Sequence, residues 1–492
     1  MKFPVLAIHA SALATLLSVG GFAPFAFAET GERPSISVSS GAADISTLDP
    51  HRATTVGDKG VVSEIFNGLV RFPPGSADPA KLEPDLAEKW EASPDNKVWI
   101  FHLRKGVQFH GGFGELKAAD VVYSIERAGD AKRSSFATNF TIVDKVEALD
   151  DYTVKITLKY PDAGFLGRIS NYHGGNIVSK AAAEKLGDKF GQSPIGTGPF
   201  SYDQHQTQQY VRLVANDLYF RGKPKLGNIT YRMIPSDSAR ELAFTSNELD
   251  LTQGKREQRW VERALKRDVK VDIFDPAEFR TLFINRNIQP LDNLKVRQAI
   301  AAAVNLDEII RYVGKDVAAK GCSVIPNGYL GEDCNAGHYS YNVDRAKELL
   351  KEAGFPSGIS INSVVSSNTT QLPIMEIIQS QLAKAGIKLN MEVVDHATYQ
   401  SKIRQDQSGL VFYGAARFPS ADYWLTEFFD SAAAIGAPLA MSNFAHCSVA
   451  DDVIRKASIE PDAQKQLALW KQAQVKIYED VCAIPLFGLK QV

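Results

Sequence analysis

Residues able to do chemistry are present in this chain but are not arranged for catalysis. The nine histidines stand apart, no two at i and i+4 on a helical pattern, so spacing marks neither a metal site nor a general base. The adjacent carboxylates Asp451 and Asp452 splay apart, a poor geometry for shared acid/base work. No G-x-S-x-G elbow, H-E-x-x-H pair or G-x-x-x-x-G-K-[ST] phosphate loop occurs. Gly196-Thr197-Gly198-Pro199 has the glycines of a phosphate cradle but lacks the lysine, and it reads as a tight turn before a strand. The four cysteines, Cys322, Cys334, Cys447 and Cys482, fit disulfides better than metal ligation, because no C-x-x-C exists and only His446 adjoins a cysteine. The 12-residue separation around the Pro326-Asn327-Gly328 turn favours Cys322 with Cys334, which leaves Cys447 for Cys482. No cofactor is implied.

The elements around these residues alternate strand and helix. Trp99, Phe101 and Leu103 alternate as a strand; His110 to Gly114 is a turn-prone loop; Ala118, Val121, Val122 and Ile125 share one helical face. Residues 35–39 and 176–178 read as strands and 61–69 as a helix. Asn342 is an N-cap for a helix over 343–353 that Gly354 closes. Pro373 opens another helix, Gly386 ends it, and Ile387, Leu389, Met391 and Val393 alternate as the next strand. The charged run 255–268 mixes signs around Trp260 and Leu265, as a solvated amphipathic helix does. Helix, glycine, strand is the grammar of an open α/β layer, whose ligands collect at loops beyond the strand ends.

Length and charge bound the function. The 492 residues allow roughly three domains. A formal net charge of −2 supplies no field for nucleic acid. Lys2, an apolar stretch from Val5 to Phe25 and Ala26-Phe27-Ala28 before Glu29 form a cleavable secretory signal over 1–28. No cysteine follows it closely, so a free periplasmic protein is expected rather than a lipid-anchored one.

Several blocks resemble a single family. They are Leu86-Ala87-Glu88-Lys89-Trp90-Glu91, the run from Phe101-His102-Leu103-Arg104 to His110-Gly111, and Ala119-Asp120-Val121-Val122-Tyr123-Ser124. Further along come Pro194-Ile195-Gly196-Thr197-Gly198-Pro199-Phe200, Tyr219-Phe220-Arg221-Gly222-Lys223-Pro224, Val296-Arg297-Gln298-Ala299-Ile300, the block from Ala346 to Phe355, and Ala483-Ile484-Pro485-Leu486-Phe487. Together they resemble extracellular solute-binding protein family 5, the peptide-, nickel- and opine-binding proteins of ABC importers. The resemblance implies an α/β fold of two hinged lobes, class II-like, with an extra subdomain inserted in the first. Lobe one would comprise 33–71, 193–278 and 483–492, the insertion 72–192 and lobe two 279–482, with crossings near 279–285 and 483–487. It implies a monomer that traps a small molecule and delivers it to permease transmembrane subunits, without catalysis. The chain stops soon after the second crossing, where such proteins usually continue, which leaves room for a further C-terminal piece.

Peptide binders of this family carry, after a buried strand, a Trp followed closely by an Asp that receives the peptide ammonium. The matching stretch here runs from Tyr413 through Arg417 and Phe418 to Asp422, with Ala415 near the Trp position and Arg417 near the Asp position. The inverted charge points to an anionic ligand, because a guanidinium fork suits carboxylate or phosphate. Ser366, Ser367 and Asn368 offer hydroxyl and amide contacts, and Tyr172 a stacking face. The expected ligand is an opine-like or sugar-phosphate conjugate, agrocinopines included. The alternatives are a di- or oligopeptide and, from another class, a secreted hydrolase. Arg417 has its own alternative, as a brace pairing with Asp422 or another carboxylate.

Overall fold

A computed structural model describes residues 33–492 apart from 77, 163, 171–173 and 438–441. The leader 1–28 and Tyr172 therefore lie outside the described residues.

Local chemistry sets the element boundaries. Asn342 Oδ1 accepts from Arg345 N and starts the helix Val343–Glu352, and Gly354, at φ 91°, ends it. Pro373 sits in the first turn of Leu372–Lys384, and Gly386, at φ 84°, turns the chain into the strand Ile387–Val394. One expected helix is displaced: it spans Val56–Ile65 rather than 61–69, because the Thr55 hydroxyl caps Asp58 N one turn earlier. Beyond Phe66 the chain is extended, and Gly68 makes a single bridge to Asn176 where a strand over 176–178 was expected. The charged run 255–268 holds the helix Gln258–Leu265, with only Val261 and Ala264 buried.

The described residues build four apolar cores. One four-stranded sheet orders Ser35–Ser40, Asn228–Met233, Tyr210–Ala215 and Phe200–Gln206. The insertion carries its own sheet, Ala87–Ala92, Val98–Leu103, Thr153–Leu158 and Val143–Asp150, with the helix Ala118–Gly129 packed on it. Val98–Leu103 and Thr153–Leu158 bury every second residue, which gives that sheet one core face. A third four-stranded sheet orders Ala318–Lys320, Ala483–Gln491, Phe274–Ile284 and Leu410–Ala415, with a parallel pair, Ile359–Ser366 and Ile387–Val394, beside them.

Two long strands run where the crossings between lobes are expected. Phe274–Ile284 and Ala483–Gln491 run antiparallel from the pair Phe283/Ala483 in the lobe-two core to Phe274/Gln491. At the lobe-one end Gly254 N donates to Val492 O at 3.0 Å and Arg256 pairs with Glu278 at 3.0 Å. The register slips between Phe274/Glu278 and between Arg280/Thr281. Such irregularities bend a strand pair and weaken its ladder locally.

Both disulfides join the expected partners, Cys322 with Cys334 and Cys447 with Cys482.

Candidate functional site

The carboxyl end of Leu410–Ala415 pairs Ala415 with Phe279 and Gly414 with Arg280 on the first crossing strand. The chain then leaves the sheet as residues 416–420 and enters the helix Ala421–Phe428, which the Ser420 hydroxyl caps at Asp422 N. This segment meets the insertion. Phe418 is 3% exposed, with Phe72 and Tyr423 at 6.0 and 5.2 Å between ring centroids. A Cβ on Gly167 would stand 2.1 Å from Phe418 Cζ, so only glycine permits this approach. Elsewhere Asn96 Nδ2 donates to Pro461 O at 3.1 Å, a second contact between insertion and lobe two.

Three arginines stand along this boundary in different states. Arg417, the candidate anion receptor, gives Nε and Nη2 to the two carboxylate oxygens of Glu427, each at 2.5 Å, and Nη1 to Ala416 O at 2.9 Å. Its backbone is fastened as well: Arg417 N donates to Tyr329 Oη at 3.1 Å, and that hydroxyl donates to Arg417 O at 2.8 Å. Burial disfavours the Arg417 charge, but Glu427 outweighs this and holds its pKa above the usual value. The carboxylate opposite Arg417 is thus Glu427, ten residues on, and not Asp422.

Asp422 belongs to the second cluster. Arg168, at the end of the short helix Phe165–Arg168, donates Nε to Asp162 Oδ2 at 2.6 Å and approaches Asp422 Oδ2 through Nη2 at 3.6 Å. Its guanidinium lies 4.7 Å from the Tyr423 ring centroid. One cation faces two carboxylates, and Asp422 Oδ1 is buried with no hydrogen-bond partner among the described residues. Burial raises the Asp422 pKa, with Arg168 opposing. This pair bridges insertion and lobe two, so it forms only where the lobes meet.

Arg280 is the third. Its side chain is 8% exposed, its Nη2 stands 3.1 Å from Glu278 Oε1, and Arg256 takes the other Glu278 oxygen at 3.0 Å. Here two cations share one carboxylate. Burial, ahead of every other influence, pulls the Arg280 pKa below its usual value.

The remaining expected residues are spread around this edge. Tyr413 Oη accepts from Arg404 at 3.3 Å, with the Phe444 ring 4.9 Å away. Ser366 is buried, its hydroxyl 3.1 Å from His396 Nδ1, while Ser367 and Asn368 are exposed. His396 stacks on Tyr399, whose hydroxyl donates to Phe412 O at 2.7 Å, and the Arg280 guanidinium lies 5.7 Å from the Phe412 ring. Contacts therefore run from the Ser366 turn to the Arg280 cluster. Sequence reasoning passed over Asp162, Gly167, Arg168, Arg280 and Glu427. Only Arg280 left a local sign, as a charged residue inside the apolar run Phe279-Arg280-Thr281-Leu282-Phe283.

A separate cavity of about 600 Å³ lies in lobe two, lined by Asn305, His338, Tyr339, Tyr341, Tyr478 and the Cys322–Cys334 bridge. None of the three arginines lines it. Cys322, Glu332 and Cys334 gather within 4.8 Å there, but both sulfurs are spent in the disulfide and offer no thiolate.

A two-lobed α/β molecule with paired crossing strands and a charged interlobe boundary has the form of a ligand-trapping binding protein. The family model for bacterial extracellular solute-binding proteins, family 5 (middle region), matches residues 81–436, and the chain belongs to this family. It is 30% identical to the dipeptide-binding protein of Escherichia coli (strain K12), over 85% of this chain and 83% of that protein. The solved structure of MoaA from A. tumefaciens R10 in complex with mannopinic acid is 45% identical, with a TM-score of 0.78 over 93% of this chain and 94% of that one. AgaA from the same source, in complex with agropinic acid, is 26% identical, with a TM-score of 0.70 over 93% and 92%. The protein is a solute-binding protein of an ABC importer. Among the described residues no helix is long and apolar enough to cross a membrane.

Proposed function

We propose that the protein captures an anionic opine-like conjugate in the periplasm and hands it, as a closed monomer, to the permease subunits of an importer. The observation that carries this reading is the 45% identity, over nearly the whole chain, to a binding protein whose structure holds mannopinic acid. On this reading the leader 1–28 is removed on export. Lobe one (33–71, 193–278 and 483–492), with its insertion (72–192), closes on lobe two (279–482) about the paired crossing strands. Lobe two's wall is built from Tyr413, Arg417, Phe418, Asp422, Ser366, Ser367 and Asn368; Tyr172, outside the described residues, stays a candidate ligand contact from the sequence alone. Arg417, saturated by Glu427, shapes that wall. Turnover is no part of the role: the relatives are binding proteins, and trapping needs only tighter binding by the closed form.

The test is thermal stabilisation of purified protein by mannopinic acid, other opine acids, sugar phosphates and free dipeptides, with mass spectrometry of whatever co-purifies. A ligand at 100 times its Kd stabilises by about 2.7 kcal/mol, a readily measured shift. Stabilisation by opine acids is expected; stabilisation by free dipeptides alone would overturn the reading. A peptide ligand is the second reading. It is favoured by the likeness to the E. coli dipeptide binder and by the unpartnered Asp422 Oδ1, which suits an ammonium group.

A further inference from the structure

Buried guanidinium groups are costly unless their N–H donors are used. Elsewhere in the molecule they are used. Arg127 gives two bonds to Asp49 and one to His51, and Arg297 makes four hydrogen bonds to Leu291 O, Asp292 O and Asp480. Arg280 is as deeply placed, at 7% exposure, yet its one ion-pair partner among the described residues is Glu278, in contact with Nη2. Nε and Nη1 donate to nothing among the described residues, and neither is sealed from solvent without a partner, so both reach solvent-accessible space.

Its position explains what that space is for. Arg280 faces Gly414, the residue before the end of Leu410–Ala415, and follows the segment that crosses to lobe one. A Cβ on Gly414 would stand 2.4 Å from both Arg280 Nη1 and Glu278 Oε1, so glycine makes the room in which the guanidinium lies. Phe412 and Tyr399 wall it on the lobe-two side, and Glu278, itself tied to Arg256, orients it. Two cations on one carboxylate leave a net positive charge in a mostly dry place. The geometry points to Arg280 as the group that receives the ligand's carboxylate, through Nε and Nη1, with Gly414, Glu278 and Arg256 as its positioning residues. This rests on the solute-binding role and narrows the ligand class to molecules with a free carboxylate, whether opine acid or peptide.

The test compares acids with their amides. Mannopinic acid and its amide, and Ala-Ala and Ala-Ala-amide, are titrated calorimetrically into the full chain and into Arg280→Met, Arg280→Lys and Gly414→Ala. The parent is expected to prefer the acid of whichever pair it binds. Arg280→Met should weaken the acid at least thirtyfold and leave the amide within about threefold, erasing the preference. Arg280→Lys should restore part of it, and Gly414→Ala, which keeps the charge but takes its space, should weaken the acid about tenfold. Binding of only the dipeptide pair removes the opine reading yet, with the preference lost in Arg280→Met, still supports this inference. Equal losses for acid and amide in Arg280→Met, or a parent indifferent to amidation, overturn it. So does a co-purifying ligand without a carboxylate.

Discussion

The interior at the junction of lobe one and its insertion and the boundary with lobe two both bury arginines, and they treat them oppositely. Arg127 is fully spent: Asp49 takes two donors, at 2.5 and 2.9 Å, and His51 Nδ1 accepts from it at 2.7 Å. His51 in turn donates Nε2 to Asn176 O at 3.0 Å, so its tautomer is set. Nothing in that network is left over for a ligand. At the boundary Arg280 is underused, Asp422 keeps a bare oxygen, and Arg168 is shared between two carboxylates. Saturated charges hold a lobe together, whereas unsaturated ones, on the proposed reading, are kept for what the lobes enclose. Arg417 sits at the boundary but resembles the interior, because Glu427 fills its fork.

The largest effect that can break this contrast is on stability. Arg127→Ala leaves Asp49 buried without its cation and should cost about 3–5 kcal/mol in urea unfolding, with the affinity of the folded fraction unchanged. A loss of affinity without a loss of stability would erase the distinction. Next comes pH. Burial and the Arg127 charge lower His51 to about 4 from an unfolded value near 6.5, so the native state favours the neutral ring. Its contribution is present above pH 6.5 and is lost as pH falls toward 4, about 3 kcal/mol in all. His51→Gln should flatten that part of the pH–stability profile; an unchanged profile would remove His51 as its source.

Gly167→Ala loads strain on the contact with Phe418, whose ring holds the three atoms nearest the added Cβ. Overpacking costs about 1–3 kcal/mol, here charged only to the joined lobes, so affinity should fall roughly 10–100-fold while the melting temperature of the ligand-free protein barely moves. Unaltered affinity would mean that the lobes do not close through Phe418. The smallest effect is expected at Arg417. Because its side chain is 32% exposed, Arg417→Ala should cost only about 1 kcal/mol and change affinity less than tenfold. A larger drop in affinity would move Arg417 from wall to ligand.

Where local rules act, the fold was legible in the sequence. Asn342, Gly354, Pro373 and Gly386 delimit their elements where capping and backbone freedom place them, and the alternation in Val98–Leu103 became a one-faced strand. The helix at Val56–Ile65 was misplaced because its start depends on the Thr55 hydroxyl rather than on apolar spacing. The site was less legible. Arg417 could be found from its neighbours in the chain, but its partner lies on the next helix, and nothing within ten residues of Arg168 announces Asp422.

The sequence by itself determined the α/β alternation, the family and the pairing of the cysteines, since these depend on local pattern or on which few residues exist to be paired. Tertiary structure alone decided which charges are free. A guanidinium's availability depends on every acceptor within about 3 Å, and those acceptors come from strands and helices far away in the chain. Glu427 closed the fork of Arg417, and a missing side chain at Gly414 left that of Arg280 open.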